Sequence, residues 1–285
     1  MNQGPAAAGR RSSELAVRTA SGVVMIAAAL AAAWAGGLVF AAFWTLAGVA
    51  VGVEWAWLVA SEPRERRLSA WIAAAFLLVA GVALWLGVYL PTAPFVALAI
   101  VVVGTVVVAL AARPDRFAAL AVPYGAAVFA GAILLRRDPQ DGLLATLWLF
   151  AVVWGTDIAA FFAGRAFGGP KLAPRISPKK TWSGAIGGAI AAVAAGVGVA
   201  AWGGASNLWP VALIALACSV AVVVGDLVES GVKRVYGAKD SSKLIPGHGG
   251  LMDRLDGFLF AATLAAVVGV ARGGFDAAGQ GLLRW

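Results

Sequence analysis

Residues 209–229 read W-P-V-A-L-I-A-L-A-C-S-V-A-V-V-V-G-D-L-V-E. About 20 mostly apolar residues suffice to cross a bilayer as a helix. This run is long enough, and its first carboxylates, Asp226 and Glu229, arrive only at its end. A polar stretch follows over 230–256, S-G-V-K-R-V-Y-G-A-K-D-S-S-K-L-I-P-G-H-G-G-L-M-D-R-L-D, and a second apolar run fills 257–271. Between positions 226 and 256 the chain holds five of its fourteen acidic residues and its only histidine, His248. A polar segment held between two membrane-like spans reads as functional.

The rest of the chain agrees with a membrane setting. It has 285 residues, 61% of them hydrophobic and 13% charged, with a mean hydropathy of +0.88. Soluble domains carry about a quarter charged residues, so the composition excludes a soluble fold. The pattern predicts an all-α, polytopic integral membrane protein with about nine transmembrane helices. Their expected positions are 20–35, 38–60, 70–89, 93–112, 118–135, 143–163, 183–203, 209–229 and 257–271. Residues 1–19 read as a mobile cytoplasmic tail, 20–140 as N-terminal transmembrane helices, and 141–285 as a transmembrane region with cytoplasmic loops 164–182 and 230–256 that carries the functional segment. The first span shows no cleavage site and reads as retained rather than as a signal peptide. The tail 272–285 is mildly amphipathic and reads as interfacial. The single cysteine, Cys218, lies in an apolar run and excludes an intramolecular disulfide or a cysteine metal site. It reads as a packing residue.

A net charge of +8 raises the question of a nucleic-acid partner. No basic run is interleaved with aromatics as such a surface needs, so no nucleic acid is expected. Basic residues instead mark cytoplasmic loops. With the N-terminus inside, eighteen of the 22 lysines and arginines fall inside and only Arg136, Arg137, Arg272 and Arg284 fall outside. The expectation is N-in and C-out, with both polar loops on one face.

Glu54, Asp157, Asp226 and Glu229 lie inside or at the ends of apolar spans. Acids at such depth face a cavity or a partner. Glu54 reads as a partner for a buried polar group. Asp226 and Glu229 are three apart, hence on one helix face, which Lys233 continues; Asp253 and Asp256 repeat the spacing. These pairs read either as ligands for a hard divalent cation or as partners of Lys233, Arg234 and Arg254. The loop 164–182 is punctuated by Gly and Pro and reads as ordered turn. In it, Ser177-Pro178-Lys179-Lys180-Thr181 precedes a helix start near Ser183, a phosphate cradle or a face for lipid headgroups. It lacks the spacing of a Walker A loop. Pro246 to Gly250 forms a turn whose glycines let backbone approach a ligand, and His248 within it reads as a contact to a phosphate or leaving group.

Ser230-Gly231-Val232-Lys233-Arg234, Lys239-Asp240-Ser241-Ser242 and the run from Ile245 to Asp256 (I-P-G-H-G-G-L-M-D-R-L-D) together resemble the signature of the phosphatidate cytidylyltransferases, the CDP-diacylglycerol synthases. Asp157, Gly164-Arg165, Phe167-Gly168, Lys171, Pro174 and Ile176 to Thr181 are similar to the upstream motif of that family. Phe161 stands where tyrosine is usual, and Ser183 where glutamate is expected, which removes a carboxylate beside the site. The resemblance covers the C-terminal half; the first 140 residues match in hydropathy and span number.

That resemblance implies transfer of CMP from CTP to phosphatidic acid with magnesium (Mg2+), and a second cation such as potassium (K+), at the cytoplasmic side of the membrane, which the Ala/Gly-rich spans point to as a bacterial plasma (inner) membrane. On it, Asp226, Asp253 and Asp256 become metal-ligand candidates, with Glu229 and Asp157 as alternates. Arg165, Lys179 and Lys180 become candidates for the CTP phosphates, with Ser177, Thr181, Lys243, Gly249 and Gly250 also in the substrate site. Lys233, Arg234, Lys239 and Arg254 would bind the lipid phosphate or orient carboxylates, with Asp240 and His248 beside them. Expected partners are CTP, phosphatidic acid and the lipid bilayer, with a homodimer as an open option. The competing readings are a related enzyme with another lipid phosphate acceptor and a transporter or flippase for an anionic lipid.

Overall fold

The computed structural model describes residues 5–87, 89–112 and 115–285, with side chains placed from Val17 onward. Nine helices among the described residues are long and apolar enough to cross a membrane. They are α1 (Pro5–Ala35), α2 (Gly37–Val59), α3 (Pro63–Leu86), α4 (Ala93–Ala111), α5 (Ala121–Arg136, entered through a 3₁₀ turn at Arg116–Leu120), α6 (Gly142–Phe167), α7 (Trp182–Trp202), α8 (Leu208–Val235) and α9 (Met252–Gly273). Each expected span falls on one of them.

Four differences have physical reasons. Helix α1 already begins at Pro5, so the stretch expected as a mobile tail, 1–19, is helical from residue 5; its alanines, arginines and glutamate are good helix formers. Residues 1–4 lie outside the described residues. Helix α8 continues six residues past the expected end at 229, with Lys233 and Arg234 in its last turn, where cations complement the helix dipole. Helix α9 starts at Met252, so both ends of the polar stretch are helix and its true loop is 236–251. The loop expected at 164–182 begins as the last turn of α6 and then forms an antiparallel hairpin, β1 (Lys171–Ala173) with β2 (Ser177–Thr181). The C-terminal tail folds back as a short helix, α10 (Ala278–Leu283), whose Leu282 and Leu283 are buried.

Small residues decide which helices touch. A Cβ on Gly225 of α8 would run into the Asp256 carbonyl of α9, and one on Gly257 into Val222. Likewise Gly48 of α2 meets the backbone of Gly125 on α5, and Gly131 of α5 meets Ala262 of α9. Without bulk at these crossings backbones approach closely, the usual device where lipid offers no hydrophobic drive. Cys218 is buried and free, as a packing residue should be. Helix α1 stays at the edge of the bundle, against α2 and α6.

Candidate active site

The α8–α9 crossing brings the acidic residues of both helices together. Lys233 sits between two of them, its Nζ 2.6 Å from Glu229 Oε2 and 2.5 Å from Asp253 Oδ1. Glu229 is fully buried and receives no donor but Lys233 among the described residues. The second oxygen of Asp253 accepts from Ser241 N at 2.9 Å, Ser241 Oγ at 3.0 Å and Gly250 N at 2.9 Å. Every Asp253 oxygen is therefore occupied by the protein itself. Each pair read from spacing is thus split: Glu229 and Asp253 meet at Lys233, and Asp226 and Asp256 lie elsewhere.

The other acids form a more open group. Lys180 Nζ lies 2.5 Å from Asp226 Oδ2, and Ser230 Oγ donates to Asp226 Oδ1 at 3.2 Å. Asp256 accepts from the N–H of Gly257 at 2.8 Å and is faced by Asp226, Asp157 and Lys180. Lys180 belongs to β2, so the hairpin closes over the α8 end; Arg234 Nε reaches the Ile176 carbonyl at 3.4 Å from the same helix. The two polar loops thus meet, as their common side required.

Glu54 of α2 holds the 236–251 loop from beneath. Its carboxylate accepts from Ser242 Oγ (2.7 Å), Leu251 N (3.0 Å) and Met252 N (2.7 Å), and it lies 2.9 Å from the Ser241 hydroxyl, whose single proton it shares with Asp253. A buried acid is tolerated when hydrogen bonds satisfy it, and this one fulfils the role read for it. Two glycines let the loop wrap these acids: Gly249 takes φ +86°, and a side chain on Gly250 would strike Ser241 Oγ and Glu54.

An apolar cavity of about 600 Å3 opens beside the acids, between α1, α2, α6 and α9. Trp44 and Phe258 stack at 4.4 Å in its wall, and its charged lining residues are Asp157 and Arg254. Among the described residues no group of three or more His, Cys, Asp or Glu side chains is poised to hold a metal ion.

A sequence model of the cytidylyltransferase family matches residues 16–271. The chain belongs to the cytidylyltransferase family. Over 260 residues it is 42% identical to a protein named phosphatidate cytidylyltransferase from Brucella suis (biovar 1, strain 1330), a match covering 90% of this chain and 94% of that one. A Brucella abortus (strain 2308) protein of the same name matches to the same extent. One from Haemophilus influenzae is 44% identical over 137 residues, 45% of this chain and 48% of its own. The transporter reading gives way to an enzyme.

In this cytidylyltransferase not every expected site residue converges. Arg165, Lys179, Lys239, Asp240 and Lys243 are exposed and make no ion pair among the described residues. Thr181 is buried as the N-cap of α7, accepting from Gly184 N at 3.1 Å. Ser177 lies half-buried on β2. Ser183, at the departing position, donates to the Gly168 carbonyl at 2.5 Å and so pins the hairpin, while Phe161 is exposed on α6. His248 turns toward α1, with Nδ1 2.7 Å from Ser21 Oγ. Burial, then the positive charges of Arg254 and Arg18, hold its imidazole below the ordinary value of 6.5. Ser230 and Ser241 stood in the quoted signature without a role, and sequence reasoning missed Tyr124. Tyr124 of α5 packs tilted against Trp55, ring centroids 4.6 Å apart, and faces Asp256 and Glu229, with its hydroxyl buried and unpartnered among the described residues. Nothing in the local sequence around Tyr124 marks it.

Proposed function

We propose that the enzyme transfers CMP from CTP to the phosphate of phosphatidic acid, releasing pyrophosphate and leaving CDP-diacylglycerol. The observation that carries this is the cavity: an apolar chamber of lipid-accommodating size whose charged residues, Arg254 and Asp157, lie beside the Asp226–Asp256 group. Acyl chains would lie against Trp44, Phe150 and Phe258, and the lipid phosphate would meet Arg254.

The attacking oxygen belongs to a phosphate that is already anionic, so no strong general base is needed. The barrier is the approach of one anion to another, which fixed cations and positioning reduce. Lys180 would exchange Asp226 for the triphosphate of CTP, whereas Ser177 and Lys179 alternate with it along β2 and face the other side of the hairpin, and Arg165 is exposed at the end of α6. A bond forms from the lipid phosphate oxygen to the α-phosphorus, and the bond to the bridging oxygen of pyrophosphate breaks.

The oxygen donors of Asp226 and Asp256 suit magnesium, which takes one or two carboxylates and completes its shell with substrate phosphates and water. When bound, magnesium supplies charge neutralisation on the phosphates. Asp157 reaches the same space as an alternate ligand, whereas Glu229 and Asp253 act through Lys233 on the shape of the site. The eighteen-to-four division of basic residues supports a cytoplasmic site, N-in and C-out, in a bacterial plasma membrane.

Purified protein given labelled CTP, magnesium and phosphatidic acid should release pyrophosphate and place label in the lipid extract as CDP-diacylglycerol. Label transfer to another phosphorylated lipid in a panel, with none to phosphatidic acid, would reassign the acceptor. No transfer to any acceptor by folded protein would overturn the reading.

A further inference from the structure

A second cavity, of about 220 Å3, lies at the opposite end of the bundle, between the start of α2 and the ends of α3 and α5. The whole of α6, 26 residues and so about 39 Å of helix, separates that end from the hairpin. Phe40, Leu84, Trp85 and Ile133 give the cavity apolar walls, and Arg136, Arg137 and Asp138 give it charge.

Its positive groups are incompletely used. Arg136 Nε donates to the Ala33 carbonyl at 2.7 Å, but the guanidinium has no carboxylate partner among the described residues. The Arg137 side chain is 4% exposed and pairs with Asp276 and the Gly87 carbonyl through Nη2, while its buried Nη1 has no partner among the described residues. A buried donor left unpaired costs about 1–3 kcal/mol and more when charged. The start of α2 adds to this field: Gly37 lines the cavity, and no side chain caps that helix. Uncapped N–H groups and the positive dipole end attract an anion.

Asp138 is a negative charge in the same lining, but it makes no ion pair with Arg136 or Arg137 among the described residues. Burial pushes its carboxyl up, but the N–H groups of Gln280, Asp141 and Gln140 and the Gln280 side chain outweigh burial and hold it below its ordinary value. It is ionised, yet its oxygens are already spent on those donors.

We propose that this cavity is a second anion site, distinct from the catalytic centre, which takes a phosphate group between Arg136, Arg137 and the start of α2. The apolar walls and the position at the ends of spanning helices fit the phosphodiester of an anionic phospholipid, with its glycerol portion against Trp85 and Ile133. Free phosphate shares the recognised chemistry. The inference does not depend on the acceptor used in catalysis.

Full-length protein in detergent is titrated with dioctanoylphosphatidylglycerol, dioctanoylphosphatidylcholine and inorganic phosphate, and bound species are counted by native mass spectrometry. Wild type should bind phosphatidylglycerol in preference to phosphatidylcholine. Arg136→Gln should weaken that binding about tenfold or more, as loss of a charge-assisted pair implies, and Arg136→Lys should restore part of it. Because Lys cannot reproduce the Nε bond to Ala33, rescue separates anion binding from the tie to α1. Saturation by inorganic phosphate that is likewise lost in Arg136→Gln would support the site with a free anion as occupant. Equal binding of the two lipids by wild type, or binding unchanged in Arg136→Gln, would overturn the proposal. The catalytic cavity also offers Arg254 to an anionic lipid, so the second site is read from the change between wild type and the Arg136 variants, and Arg136→Lys keeps the test where Arg136→Gln fails to fold.

Discussion

Two carboxylate–lysine groups sit a helical turn apart at the α8–α9 crossing, and they are built for different tasks. Around Lys233 everything is closed: Glu229 and Asp253 share one cation, and Asp253 also receives Ser241 and Gly250. Around Lys180 the arrangement is open, with Asp226 paired across to a hairpin and Asp256 facing acids as well as the lysine. A buried charge whose partners are all protein atoms fixes geometry. One whose partners include a displaceable surface lysine and other acids is available to substrate. On the reading proposed above, the difference separates residues that hold the site from residues that do its chemistry, although the four acids were all read from the same polar segment.

Cutting the closed group should have the largest effect on stability. Lys233→Met leaves two buried acids without their cation and should cost about 3–5 kcal/mol, read as a lower unfolding midpoint in detergent. Adding Glu229→Leu should recover part of that loss; an unchanged midpoint for the single variant would show that Lys233 holds nothing. Next comes Glu54→Gln, which sets an amide against donors that now meet a carboxylate and should cost about 1.5–3 kcal/mol. Its sharper readout is trypsin cleavage at Lys239 and Lys243, which should accelerate as the loop loosens. The smallest effect belongs to His248. Its folded value lies below 6.5, so the folded protein binds fewer protons there than the unfolded chain. The contact with Ser21 is thus fully present above the unfolded value and weakens as the pH falls below it. Amide exchange in 246–249, corrected for intrinsic rate, should be faster near about pH 5 than near about pH 7.5, and His248→Gln should remove that dependence.

The spans were legible because apolar length is a local property, and each of the nine falls on a helix. The ends of the polar segment were not, since Lys233 and Arg234 extend α8 through the helix dipole and read equally well as loop. The hairpin at 171–181 was hidden by Gly and Pro, which mark turns without naming what they join. Glu54 was legible as a buried acid in need of a partner; that its partners would be Ser241 and Ser242, nearly two hundred positions away, was not. The division at residue 140 misplaced the site for the same reason. Glu54, Tyr124 and the α1 and α2 walls of the cavity bring the N-terminal half into it. Side-chain contacts across a bundle have no signature in local sequence.

The most direct test measures turnover and the unfolding midpoint on one variant, Asp256→Asn, with Asp226→Asn alongside. The open group is predicted to lose about 100-fold or more in CMP transfer, the scale expected when a charge-organising contact is removed, while the midpoint stays at the wild-type value. Full activity in Asp256→Asn, or a midpoint that falls as far as that of Lys233→Met, would contradict the division of labour between the two groups.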